Sequence, residues 1–190
     1  MKNVLLFASA TSMAAALAAP AFATPAANSV TGSVNVTGSV AAFCSSQSFS
    51  DTIALNELSK PTDGTLDTTV PNNTGLTKSF KIVCTSALPT VDVSASRLAA
   101  TGSTSPGFTN VIDYTATATA HLAGGGSTNV AYTTAATLPA ATSTKLTDRL
   151  ANAGTNLDVT FSGAHTTNAT DQLIAGTYAS VITVTVEPTS

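Results

Sequence analysis

Ser29-Val30-Thr31-Gly32-Ser33-Val34-Asn35-Val36-Thr37-Gly38-Ser39-Val40-Ala41-Ala42-Phe43-Cys44 decides how this chain is read. Its even positions (Val30, Gly32, Val34, Val36, Gly38, Val40, Ala42, Cys44) are apolar or small, and its odd positions through Ser39 are small and polar. Side chains alternate faces along a strand, so this period-2 pattern predicts one β-strand over 29–44 with a continuous apolar face. Strands usually run about 3–10 residues, and this one is longer. Its apolar face has to be covered either by the chain's own domain or by another molecule. That choice is the functional question.

Upstream, residues 1–23 read as a signal peptide. Met1-Lys2-Asn3 gives a short positive start, Val4 to Ala19 an apolar, alanine-rich run, and Ala21-Phe22-Ala23 an A-x-A cleavage signal. Ser9, Thr11, Ser12 and Pro20 interrupt the run, which falls short of the about 20 strongly apolar residues of a membrane span. No later stretch is apolar enough to insert in a bilayer, so the expectation is export, with the protein then soluble or held by protein contacts.

Removing Lys2 takes the seven basic residues to six against ten acidic ones, one unit beyond the formal net charge of −3. That balance gives no electrostatic footprint for nucleic acid or anionic lipid. Only 9% of residues are charged, about a third of the usual share, so the polar surface has to be built from Thr, Ser, Asn and Gly. Hydroxyl-rich, uncharged strands suit an extracellular β-protein rather than a cytosolic enzyme. A disordered chain would be more charged and less apolar.

Cys44 and Cys84 are the two cysteines. In an exported chain a structural disulfide is the default, and closing a loop of about 40 residues is worth roughly 3–4 kcal/mol in the chain-entropy model. The rivals are a free thiol pair or a metal site. Zinc would need two further ligands, and His121 and His165 show no ligand spacing, so no metal or other cofactor is expected.

Further alternating runs follow. Ile53 and Leu55 share a face of 52–56, and Phe80, Ile82 and Cys84 share a face of 79–85, which points both cysteines inward as a buried bridge. Val91 and Val93 pattern 90–95. Residues 110–122 form a long Thr/Ala strand, turned by Gly124-Gly125-Gly126-Ser127 into 129–134 as a hairpin. Leu157, Val159 and Phe161 pattern 156–162, and Val181-Ile182-Thr183-Val184-Thr185-Val186 is the most β-prone run. Lys60-Pro61, Asp63-Gly64 and 71–75 are turn chemistry. Only 146–152 suggests a helical turn. The reading is all-β: one antiparallel β-sandwich domain.

Catalytic patterns are missing. No G-x-S-x-G elbow occurs, and the glycine run at 124–126 opens no helix and carries no Lys, so it reads as a turn and not a phosphate cradle. Asp51, Glu57, Asp63 and Asp67 cluster in sequence without a D-x-D-x-D-G calcium pattern. N-x-T sequons at Asn35, Asn72 and Asn168 are weak signals. The chain is expected not to be an enzyme.

The end strands remain. Glycine inside a strand weakens it and often marks close approach of another chain. A long terminal strand with Gly32 and Gly38 on its apolar face looks made to enter a groove on a neighbour, which is β-strand addition.

Val34-Asn35-Val36-Thr37-Gly38-Ser39-Val40 followed by Cys44, with Cys84 downstream, resembles the N-terminal pattern of pilin subunits of chaperone–usher fimbriae. Gly176-Thr177-Tyr178 running to Val186 looks like the closing strand of the spore-coat-U-like secreted pilins. The ending Glu187-Pro188-Thr189-Ser190, without an aromatic, and the short gap from Gly38 to Cys44 favour a divergent or spore-coat-U-like branch. The resemblance implies an incomplete immunoglobulin-like sandwich over 44–190, preceded by a donor-strand extension over 24–43. Val30, Gly32, Val34, Val36, Gly38 and Val40 would form the donor strand. Ile182, Val184 and Val186 would form the groove strand, engaged first by a periplasmic chaperone and then by the next subunit. The implied function is a structural subunit of a surface fimbria or pilus. It would polymerise head to tail with identical or related subunits, be delivered through the periplasm to an outer-membrane usher, and serve cell adhesion. The alternatives are a secreted spore-coat-U-like protein or an adhesin sandwich binding a carbohydrate or host protein.

Overall fold

The computed structural model describes residues 33–46, 49–69, 76–152 and 154–189. Residues 1–23, read from the sequence as a signal peptide, and Val30, Gly32, Asn72 and the turn at 71–75 lie outside them. The chain divides into two units, Met1–Gly38 and Ser39–Ser190. In the first, residues 33–38 carry no strand, and Val34 and Val36 are 89% and 92% exposed.

The second unit is all-β, with no helix among its described residues. Its strands are β1 (Cys44–Ser46), β2 (Thr77–Phe80), β3 (Ile82–Cys84), β4 (Thr90–Ala95), β5 (Leu98–Ala99), β6 (Phe108–Thr109), β7 (Val111–His121), β8 (Ser127–Thr133), β9 (Thr142–Lys145), β10 (Leu157–His165), β11 (Gln172–Leu173) and β12 (Ile182–Glu187). One antiparallel sheet runs β2–β10–β7, with β8 and β5 sharing the far edge of β7. The other runs β12–β4–β9, also antiparallel. A short β1–β3 ribbon and one parallel pair, β6–β11, complete the set.

Alternation explains the core. Along β7, Ala116, Ala118 and Ala120 are wholly buried, while Thr115, Thr117 and Thr119 on the opposite face are partly exposed. Small alanines on this central strand leave room for larger neighbours: Val91 and Val93 of β4, Leu157 and Phe161 of β10, and Val130 and Tyr132 of β8 join them in one buried cluster. Residues of both sheets fill that cluster, which makes the arrangement sandwich-like. β10 bulges between Ser162 and His165, where Gly163 sits at φ +62°, a conformation that a side chain would strain.

Three expectations change. The strand predicted over 29–44 is not found among the described residues, where regular pairing begins only at Phe43, whose carbonyl accepts from Thr85 N–H at 2.9 Å. Backbone groups need a partner edge to make a strand, and alternation alone does not supply one. The run at 79–85 breaks at Lys81, so that β2 pairs with β10 while β3 turns to β1. Asn156 governs this break: its side chain accepts from Ile82 N–H and donates to Ile82 C=O, both at 2.8 Å. Residues 146–152 make no helical turn. Leu146 is buried and its N–H bonds Pro89 C=O, while Leu150 bridges to Leu122.

Candidate functional site

The 52–56 run alternates as the sequence predicts, with Ile53 and Leu55 half-buried and Thr52, Ala54 and Asn56 exposed. It nonetheless pairs with no described strand. Across from it, β12 pairs among the described residues with β4 alone, along one edge. Ile182, Val184 and Val186 point inward there, and Thr183, Thr185 and Glu187 outward.

Between these two extended segments lies a groove of about 1050 Å³. One wall is 49–59 and the other is 173–184, with Phe80, Leu98, Val159 and Phe161 among the lining residues. Leu98, Val159 and Phe161 belong to the core cluster and Phe80 packs against it, so the groove reaches the hydrophobic core itself. Unpaired strand edges invite another strand, and here one such edge borders an apolar cleft.

The walls run in opposite directions. Phe49 packs its ring 4.8 Å from that of Phe80, and Lys78 pairs with Asp51 at 3.1 Å, which sets the start of the first wall beside β2. At its other end Ser59 bridges Leu66, Thr65 bridges Gln172, and Leu173 N–H bonds Gly64 C=O, which brings 58–59 to the start of the second wall. Tyr114 stacks on Phe161 at 4.4 Å and its hydroxyl lies 3.0 Å from that of Ser180, so the core braces the groove wall. Tyr178 donates to Thr109 C=O at 3.3 Å and Ile174 C=O at 3.1 Å. Burial pushes both tyrosine hydroxyls to a higher pKa.

Cys44 and Cys84 form a disulfide, opposite each other on β1 and β3. The bridge is half-buried, not fully buried as the inward face suggested, because the ribbon hangs at the end of the sheet with only one strand beside it. Val40 is 81% exposed.

The acidic residues are engaged locally. Glu57 accepts from the Ser59 hydroxyl and amide, and Asp63 from the amide and hydroxyl of Thr65. These bonds lower both carboxyl pKa values, as the Thr52 amide and Lys78 do for Asp51. Asp67 accepts from Thr69. Among the described residues no three His, Cys, Asp or Glu side chains gather into a metal site. On the outer face of the first sheet, His121 Nε2 lies 2.8 Å from Asp158 Oδ2, and Ser79 donates to Asp158 Oδ1 at 2.6 Å. The serine proton goes to the carboxylate and not to the imidazole, so this trio lacks the nucleophile–base contact of a hydrolase. His165 is exposed, its Nδ1 3.0 Å from Gly163 C=O.

The alternating faces were visible in the sequence, but the gap between two of them was not. Tyr178, Phe80 and Phe161 reach the groove because of sheet order, which no local pattern encodes. Searched against protein-family models, curated proteins and solved structures, the chain matches none.

Proposed function

We propose that this protein is a non-enzymatic structural subunit of a surface fimbria or pilus, exported and assembled by donor-strand exchange. The 1050 Å³ groove between 49–59 and 173–184 carries the reading. Its floor belongs to the core cluster, and it is bordered by an edge of β12, the strand holding Ile182, Val184 and Val186, that no described strand pairs with. In this reading the sandwich is immunoglobulin-like and lacks one strand.

The complement is in the same chain. Val34, Val36 and Val40 are nearly fully exposed, and residues 29–40 are free of charge. Burying three valines contributes roughly 1.5 kcal/mol each, before any ladder bonds to β12. A strand with these side chains fits a groove whose floor is Phe, Leu and Val. Inserted into a neighbour, it joins subunits head to tail, a heterologous contact that does not close. A periplasmic chaperone would hold the β12 edge until the usher delivers the next subunit.

The test deletes residues 24–40. The truncated chain should fold when its groove is filled by the chaperone or by a 29–43 peptide, and should give no SDS-resistant ladder, whereas the full chain gives one. A truncated chain that folds alone and assembles unchanged would sink the reading.

A further inference from the structure

Phe43, Val83 and Phe108 are among the large apolar side chains of the second unit that stay exposed outside the groove. Phe43 and Val83, 44% and 48% exposed, sit at one end, and Phe108, 45% exposed, at the other. Residues 43 and 45 share a face of β1, and Ser45 lies opposite Val83, so Phe43 and Val83 are diagonal neighbours facing away from the disulfide.

β7 fixes which end is which. Phe80 pairs with Leu157, and Leu157 with Ala120, so the β1–β3 ribbon that follows Phe80 lies at the His121 end. Leu98 pairs with Ile112, and Phe108 immediately precedes β7, which puts Phe108 at the Val111 end. There it pairs with Gln172, at the start of the groove wall. β12 starts at this same end, because Ile182 pairs with Ala95 just before Leu98.

The direction of an inserted strand follows. The two walls are antiparallel to each other, so any insert runs parallel to one of them. β12 is the wall with a regular ladder, and antiparallel pairing is the more stable kind. The insert therefore enters at the Glu187 end and leaves at the Ile182 end. Its last valine, Val40, emerges beside the Val111 end of the acceptor, and only Ala41, Ala42 and Phe43 separate it from Cys44. Four extended steps span about 14 Å, so the donor's ribbon has to lie against that end.

We propose that Phe43 and Val83 of one copy dock on Phe108 and the exposed 103–107 loop of the next copy. This second contact, beside the inserted strand, sets the angle between successive subunits. It rests on the donor-strand reading, and its occupant is a second copy of this chain because the three-residue link leaves no room for another protein between them.

The test places the photoreactive analogue p-benzoylphenylalanine at position 108 of the full chain, assembles it beside the unsubstituted chain, irradiates and maps the products by mass spectrometry. The expected product joins position 108 to a neighbour's peptide spanning 41–46 or 81–85. Phe43→Ser, which leaves 29–40 intact, should cut its yield several-fold while the ladder persists. Ladders without this cross-link, or with a cross-link to another surface or another protein, overturn the docking contact and leave strand exchange standing. Absence of ladders even in the unsubstituted chain overturns both.

Discussion

Asp158 sits at the meeting of three strands, and its environment pulls two ways. Burial raises its pKa, but hydrogen bonds from Ser79 and His121 outweigh this and lower it below 3.8. A carboxyl depressed in the folded state stabilises fully above its unfolded value and loses that contribution as pH falls through the folded one. The unfolding temperature should therefore hold from neutral pH to about pH 5 and drop below the ordinary carboxylate range, with Asp158→Asn showing a shallower drop. At neutral pH that variant should cost about 1 kcal/mol, read as roughly 2–4 °C in a thermal melt. Arg97 and Asp113 form the tighter pair, a two-pronged contact at 2.7 and 2.6 Å. The carboxylate is 7% exposed and accepts a further bond from Thr134. Removing one partner strands a buried charge, so Arg97→Met should cost about 3 kcal/mol by denaturant titration. Neither cluster was legible in the sequence. Asp158 and Ser79 are 79 positions apart, and only the pairing of β2 with β10 makes them neighbours.

At the scale of elements, period-2 patterning located β4, β7, β8, β10 and β12 to within a few residues, because each has one face in the core and one outside. It overcalled residues 33–43 and 52–56, where the pattern is present but no partner edge is described. It missed β5, β6, β9 and β11, which are two to four residues long and too short to show a period. The cysteines were readable because two cysteines allow one pairing and the expectation of export favours a disulfide. Cys44–Cys84 closes a separation of 40 residues, worth roughly 3–4 kcal/mol by restricting the unfolded chain. The Cys44→Ser, Cys84→Ser double variant should lose about that much by denaturant titration. Because Thr85 also bonds Phe43 N–H and C=O, the loss should appear as a shift of the midpoint in a single cooperative transition.

For the whole molecule the decisive quantity is the free energy of the unfilled groove. Phe161, Val159, Leu98 and Val184 form the buried floor of the groove within the core cluster, while Ile53, Leu55, Phe80 and Ile182 along it are only half-buried, apolar surface that an inserted strand would cover. Anything that binds the folded state and not the unfolded one stabilises by mass action, about 2.7 kcal/mol at a hundredfold excess over its dissociation constant. A peptide of residues 29–43 should therefore raise the melting temperature of the chain lacking 24–40 by several degrees, about 2–4 °C for each kcal/mol. The same peptide carrying Val36→Asp should not, since an unpaired carboxylate cannot enter an apolar floor without losing its hydration. The Asn35→Asp peptide adds the same charge on the other face of the strand, where the side chain points to solvent, and should retain most of the effect. If Val36→Asp and Asn35→Asp weaken the peptide equally, charge alone and not the buried face governs binding. A donor strand seated by its even-numbered valines requires the two to differ.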